Sequence, residues 1–256
     1  MKRTSILASI AIILTSLLSS GGVYAAESIQ KADPATAKTP VTADLTTPNT
    51  PTPKPPSDPN NPAITENKLT DDGVTGESGN LGIAYYPKSF KFTGDLGADT
   101  LNLSDSGSNS SEENVTYNIG VKDNTRQHNS WTLTAQLKWN NDELPGSTIT
   151  VTNLDNGKVK LNTNNGINPF KSTDLQQQSD VQGTDSNTVT ISSSESPVMT
   201  KQRTTVGKGT YDYSLGSVGT LNLMIPKATD LVAKSYSGNV NWNLQISPDT
   251  STPSAS

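Results

Sequence analysis

The stretch Ser130-Trp131-Thr132-Leu133-Thr134-Ala135-Gln136-Leu137-Lys138-Trp139 alternates without a break. Trp131, Leu133, Ala135, Leu137 and Trp139 fill the odd positions, and Ser, Thr, Gln and Lys fill the even ones. A period of two puts each set on its own side of an extended chain, so the stretch reads as a strand with one face packed and the other wet. The pattern returns where Val240, Trp242, Leu244 and Ile246 alternate with Asn239, Asn241, Asn243 and Gln245. Shorter candidates are Leu81 to Tyr86, Ser89 to Phe92, Val115 to Val121, Thr148 to Thr152, Lys158 to Leu161, Thr188 to Ser192, Thr210 to Leu215 and Gly219 to Ile225. Asp155-Asn156-Gly157 and Asn164-Asn165-Gly166 supply turn chemistry between them. About ten short strands predict an all-β chain, a β-sandwich of immunoglobulin-like or related Greek-key type.

Composition narrows the chemistry. Of 256 residues, 31% are hydrophobic and 17% charged, both low, while 31 Ser, 34 Thr and 24 Asn favour turns and extended segments over helix. There is no cysteine and a single histidine, His128, which excludes disulfides, thiol nucleophiles, Cys-ligated zinc and multi-histidine metal sites. The formal charge of -5 gives no basic field for nucleic acid, and losing Lys2 and Arg3 with a leader would make it more negative.

Residues 1–25 read as a secretory signal peptide: Met1-Lys2-Arg3, an apolar core from Ile6 to Leu18, then Val23-Tyr24-Ala25 before a cut at Ala26. The apolar run is too short to span a bilayer, so no membrane insertion is expected after cleavage. Residues 26–75 read as a disordered Pro/Thr-rich spacer, because nine of the 16 prolines fall between Asp33 and Pro62. Residues 76–256 carry the sandwich. Without a cysteine to lipidate, and with no apolar tail or Leu-Pro-x-Thr-Gly motif after Ser247, the exported chain is expected to be released or held non-covalently. An exported chain that does without cysteine also suits a Gram-positive surface.

Trp131-Thr132-Leu133 and Trp242-Asn243-Leu244 resemble the two Trp-x-Leu motifs of the WxL family of Gram-positive surface proteins. The flanks are similar too. Val121-Lys122-Asp123-Asn124-Thr125-Arg126 matches the Val-x-Asp-x-x-Arg lead-in, and Tyr236, Gly238, Trp242, Leu244 and Pro248 match the Tyr-x-Gly-x-x-x-Trp-x-Leu-x-x-x-Pro closing element. Leu81 to Phe92 resembles the family's opening segment, whereas Ser130 stands where the family often has Gly. The resemblance implies a non-catalytic, extracellular, wall-associated domain with peptidoglycan as ligand. It also implies assembly with a membrane-anchored WxL-interacting protein and other WxL proteins, and an adhesin whose main ligand is a protein, such as a host matrix protein, is the alternative.

For Trp131 and Trp242, two readings stay open. Each shares a face with further apolar residues, as in a core, yet a Trp in a groove could stack on a sugar ring. Tyr85, Tyr86, Tyr211 and Tyr213 are candidate contacts, since alternation should expose at least one ring of each pair. Asp123 and Arg126, three apart before a strand, suggest a local ion pair or turn clamp, with contact to an anionic or polar wall group as the alternative. His128 lies in a polar loop, and the acidic pairs Asp71-Asp72, Glu112-Glu113 and Asp142-Glu143 lack EF-hand spacing, so no catalytic residue, metal site or cofactor is expected.

Overall fold

A computed structural model describes residues 41–46, 51–56, 65–67, 80–106, 116–184 and 186–247. The expected signal peptide and Pro248 lie outside them. The chain divides into two compact units, Met1–Leu45 and Thr46–Ser256. In the first, residues 41–45 are exposed and form neither helix nor strand; the second holds the strands.

Among the described residues, fourteen strands form three antiparallel sheets. The first sheet runs in the spatial order β1 (Thr65–Asn67), β2 (Leu81–Pro87), β4 (Thr116–Asp123), β12 (Gly209–Ser217), β7 (Lys160–Asn162) and β8 (Leu175–Gln177). The second is β10 (Thr188–Ile191), β6 (Thr148–Thr152), β13 (Asn222–Ile225) and β3 (Leu101–Ser104). The third is β14 (Gly238–Ser247), β5 (Ser130–Trp139), β11 (Ser196–Lys201) and β9 (Val181–Gly183).

Alternation explains the core. Trp131, Leu133, Ala135 and Leu137 of β5 join Ile119 and Val121 of β4, Tyr211, Tyr213 and Leu215 of β12, Ile149 and Val151 of β6, and Leu223 of β13 in one buried cluster. The Trp131 and Tyr211 ring centroids are 6.0 Å apart, so the third sheet packs across from the first. The second and third sheets are linked where Ser196 Oγ donates to Thr190 O at 2.7 Å and Leu137 N donates to Ser192 O at 2.7 Å. The fold is the expected all-β sandwich, with its core shared by three sheets.

Some segments depart from the sequence reading. Ser89 to Phe92 forms no strand and contributes only an isolated bridge from Phe92 to Asp105. β3, β8, β9 and β11 were not anticipated, and β11 holds a proline that is tolerated because Pro197 sits at an irregularity in its pairing with β5. Most of the expected spacer, residues 26–75, lies outside the described residues; within it β1 pairs with β2, and residues 51–56 pack against the domain with Pro53 and Pro56 buried.

A bulge in β2 moves one tyrosine. Ile83 pairs with Val121, but the register slips so that Tyr85, not Ala84, stands opposite Gly120. Tyr85 is thereby turned to the outer side of the first sheet, where its ring lies over Gly120; a Cβ there would come within 2.4 Å of it. Beneath the ring, Tyr85 Oη donates to Asp212 Oδ2 at 2.7 Å, Asn118 Nδ2 donates to Asp212 Oδ1 at 3.0 Å, and Asn162 Nδ2 donates to Tyr85 Oη at 3.1 Å. Asp212 is buried on a strand covered on both faces.

Burial pushes the Asp212 carboxyl up to about 7, against the opposing pull of the hydrogen bonds from Tyr85 and Asn118. Because the pKa is raised on folding, the folded chain keeps a proton that the unfolded chain releases between about pH 4 and pH 7. Stability from this group is therefore complete below about pH 4, declines as the pH rises toward 7 and is absent above it. Asp212→Asn should flatten that part of the curve and gain stability over the parent at pH 8, as read from urea unfolding; parallel curves for the two chains would contradict the assignment. Gly120→Ala should cost roughly 1 to 3 kcal/mol in the same assay by driving Tyr85 from its seat.

Candidate functional site

The first Trp-x-Leu motif is built around a buried carboxylate. Asp123 ends β4, Trp131 is the second residue of β5, and the Trp131 indole Nε1 donates to Asp123 Oδ2 at 2.9 Å. Thr125 caps the other oxygen through its Oγ1 (2.7 Å) and its amide (3.2 Å). Lys201 of β11 is wholly buried, with Nζ 3.9 Å from Asp123 Oδ2. The ammonium also donates to Asn129 O at 2.7 Å, Asn129 Oδ1 at 3.2 Å and Thr205 O at 2.7 Å. Burial pulls the Lys201 pKa below its ordinary value, against the attraction of Asp123. This network fixes Trp131 in the core, with 1% of its surface exposed.

The second motif lies beside the first. β14 runs antiparallel to β5 over their full lengths, with Leu244 opposite Leu133, Trp242 opposite Ala135 and Ile246 opposite Trp131. Directly opposed residues share a face, so both motifs point toward the core side. On the other face Glu195 ties the strands together, accepting from Thr134, Asn243 and Gln245. Among the described residues β14 is an edge strand, so its apolar row is only half covered: Trp242 and Leu244 are half-buried and Ile246 is 47% exposed.

Beside Trp242 opens a groove of about 840 Å³ whose aromatic lining includes Trp139, Trp242, Tyr86, Phe90 and Tyr236. Trp139 is fixed by a 2.6 Å hydrogen bond from its indole to Ser147 Oγ. Gly238 stands opposite Trp139, and a Cβ there would meet the ring at 2.9 Å and Lys138 O at 2.6 Å, so this position admits the ring only because it has no side chain. Tyr236 Oη donates to Val232 O at 2.8 Å, and Lys234 Nζ stands 5.0 Å from the Tyr236 ring centroid while pairing with Glu143. Lys88, Lys91 and Asp95 complete the charged part of the lining.

A family model described as a WxL domain, surface cell wall-binding, matches residues 32–248. The chain belongs to the WxL family. Searches among curated proteins and among solved structures give no match. As a member, it is a surface protein that binds the cell wall. Among the described residues no helix is long and apolar enough to cross a membrane, and no group of His, Cys, Asp or Glu could hold a metal ion.

The WxL motifs therefore divide the two readings between them: Trp131 and Leu133 are core, while Trp242 borders an open groove. Asp123 does not pair with Arg126, whose positive φ of 59° turns it outward at the surface while its amide donates to Gly207 O. Tyr85, Tyr211 and Tyr213 are fully buried and cannot be surface contacts; Tyr86 alone of the four lines the groove. The alternation argument fails for Tyr211 and Tyr213 because both point into the core from a central strand, and burial raises the Tyr211 pKa to about 12. His128 is exposed, its Nδ1 3.1 Å from Arg203 O. Lys201 was missed because a lysine in an unrecognised strand reads as solvated. Trp139 carried a signal, the last apolar position of the alternation, but its role depends on Gly238 from the far end of the chain.

Removing Asp123 alone would strand a buried ammonium and an indole N–H. Asp123→Ala should cost about 3 to 5 kcal/mol in urea unfolding. Combined with Lys201→Met it should cost less than the sum of the two single changes, and strictly additive losses would show that the two groups are not coupled.

Proposed function

We propose that the WxL domain binds peptidoglycan in the groove beside Trp242, without catalysing a reaction on it. The observation that carries this reading is the asymmetry of the motifs: Trp131 is sealed by Asp123, whereas Trp242 remains half-buried on an aromatic-lined groove. Aromatic faces pack against the apolar faces of sugar rings, and Lys88 and Lys91 are placed to meet carboxylates of the stem peptides. Among the described residues Asp95 is the one acidic residue lining the groove, which therefore presents no carboxylate pair of the kind that cleaves glycosidic bonds. Such a ligand places the secreted protein on the outer side of the cell, held in the wall non-covalently.

A second reading, attachment to a protein, is favoured by β14. Its outer edge pairs with no strand among the described residues, and a WxL-interacting membrane-anchored protein, another WxL protein or a host matrix protein could add a strand there.

The native mature chain should bind saturably to sacculi stripped of proteins and teichoic acids in a co-sedimentation assay. Trp242→Ala should weaken binding at least about tenfold, or 1.4 kcal/mol, with an unchanged circular dichroism spectrum. Trp131→Ala should lose the folded spectrum, since truncating a buried Trp costs about 3 to 5 kcal/mol. Absence of saturable binding by the native chain would rule out peptidoglycan and leave the protein-partner reading.

A further inference from the structure

We propose that the loop after β7 is a recognition site for an extended Pro-x-Pro peptide, and that the chain's own residues 51–56 are its occupant. Pro51-Thr52-Pro53-Lys54-Pro55-Pro56 has few backbone N–H groups, and Lys54 is the residue between Pro53 and Pro55 that supplies one. Two asparagines read that residue from both sides. Lys54 N donates to Asn164 Oδ1 at 3.0 Å, and Asn162 Nδ2 donates to Lys54 O at 2.8 Å. The Lys54 ammonium donates to Ile167 O at 2.8 Å. Gly166 gives passage to the peptide, since a Cβ there would lie 2.6 Å from Thr52 O and 3.0 Å from Pro51.

Both asparagines are more than nine-tenths buried and are held in place by the domain itself. Asn162 Oδ1 accepts from Asn164 N, and Asn164 Nδ2 donates to Asn168 O and to Asp174 Oδ2. The site is thus shaped independently of its occupant, and it selects a peptide with an N–H at the middle position and prolines on either side, which lose little conformational entropy on binding. Pro-Lys-Pro occurs once in the sequence. Tethering makes occupancy intramolecular, so contacts that hold a free peptide only weakly, and only at high peptide concentration, suffice to clip the spacer to the domain.

The test uses the full mature chain, labelled with 15N. In the native chain the Lys54 amide should exchange at least about tenfold more slowly than in a free Thr-Pro-Thr-Pro-Lys-Pro-Pro-Ser peptide, and Asn164→Ala should restore the free rate. Exchange at the peptide's rate in the native chain would overturn the proposal. Because Asn164→Ala also disturbs the loop, Lys54→Pro provides a second route: it removes the N–H from the strap and leaves the site intact. Added free peptide should then shift the Asn162 and Asn164 side-chain amide signals of the Lys54→Pro chain saturably, while the same peptide with Pro in place of Lys should not. Equal shifts with both peptides, or none with either, would show that the loop recognises no such sequence.

Discussion

A single buried carboxylate joins the layers of this sandwich. Asp123 lies at the end of a strand in one sheet, and its oxygens are taken by an indole and faced by an ammonium from two strands of the opposite one. An ion pair removed from water gains little net free energy by itself, because desolvation offsets the Coulomb attraction. What it supplies is register: only one placement of β4, β5 and β11 satisfies the carboxylate, the indole N–H and the ammonium together. With β5 so placed, the row from Trp131 to Leu137 meets Tyr211 across the core, and β14 has a template along its whole length.

Polar composition is compatible with this core because the large side chains are placed efficiently. Tyr117, Tyr211, Tyr213 and Trp131 are each almost wholly buried, and a few rings of this size replace many aliphatic residues. Serine, threonine and asparagine serve as structural groups. Asn153 holds a turn by accepting from Asp155 N and Gly157 N while donating to Ser214 O.

The two tryptophan strands were legible from sequence because their alternation is local and unbroken, over ten residues in the first and eight in the second, and the sandwich followed from them. β11 was illegible because Pro197 argues against a strand unless its bulge is known, and β8 and β9 are only three residues each. Tyr85 was misplaced because the bulge at Ala84 inverts the phase of β2, which no count of odd and even positions reveals. Near the groove, the motif letters marked Trp242, Tyr236 and Gly238. Their meeting with Trp139, Tyr86 and Phe90 depends on contacts between segments some 100 or more residues apart in the chain.

The pairing of β5 with β14 also governs the order in which the chain can fold. β5 is complete at Trp139, but the strand that covers its free edge ends at Ser247, so a chain emerging from its N-terminus holds that β5 edge unsatisfied for roughly a further hundred residues. Closing so long a loop is entropically late, and the third sheet is the last to gain its full complement of hydrogen bonds. The groove, which needs Trp242 from β14 and Trp139 from the waiting β5, comes into existence only at that closing step, so a chain cut short before β14 has the first motif without the groove.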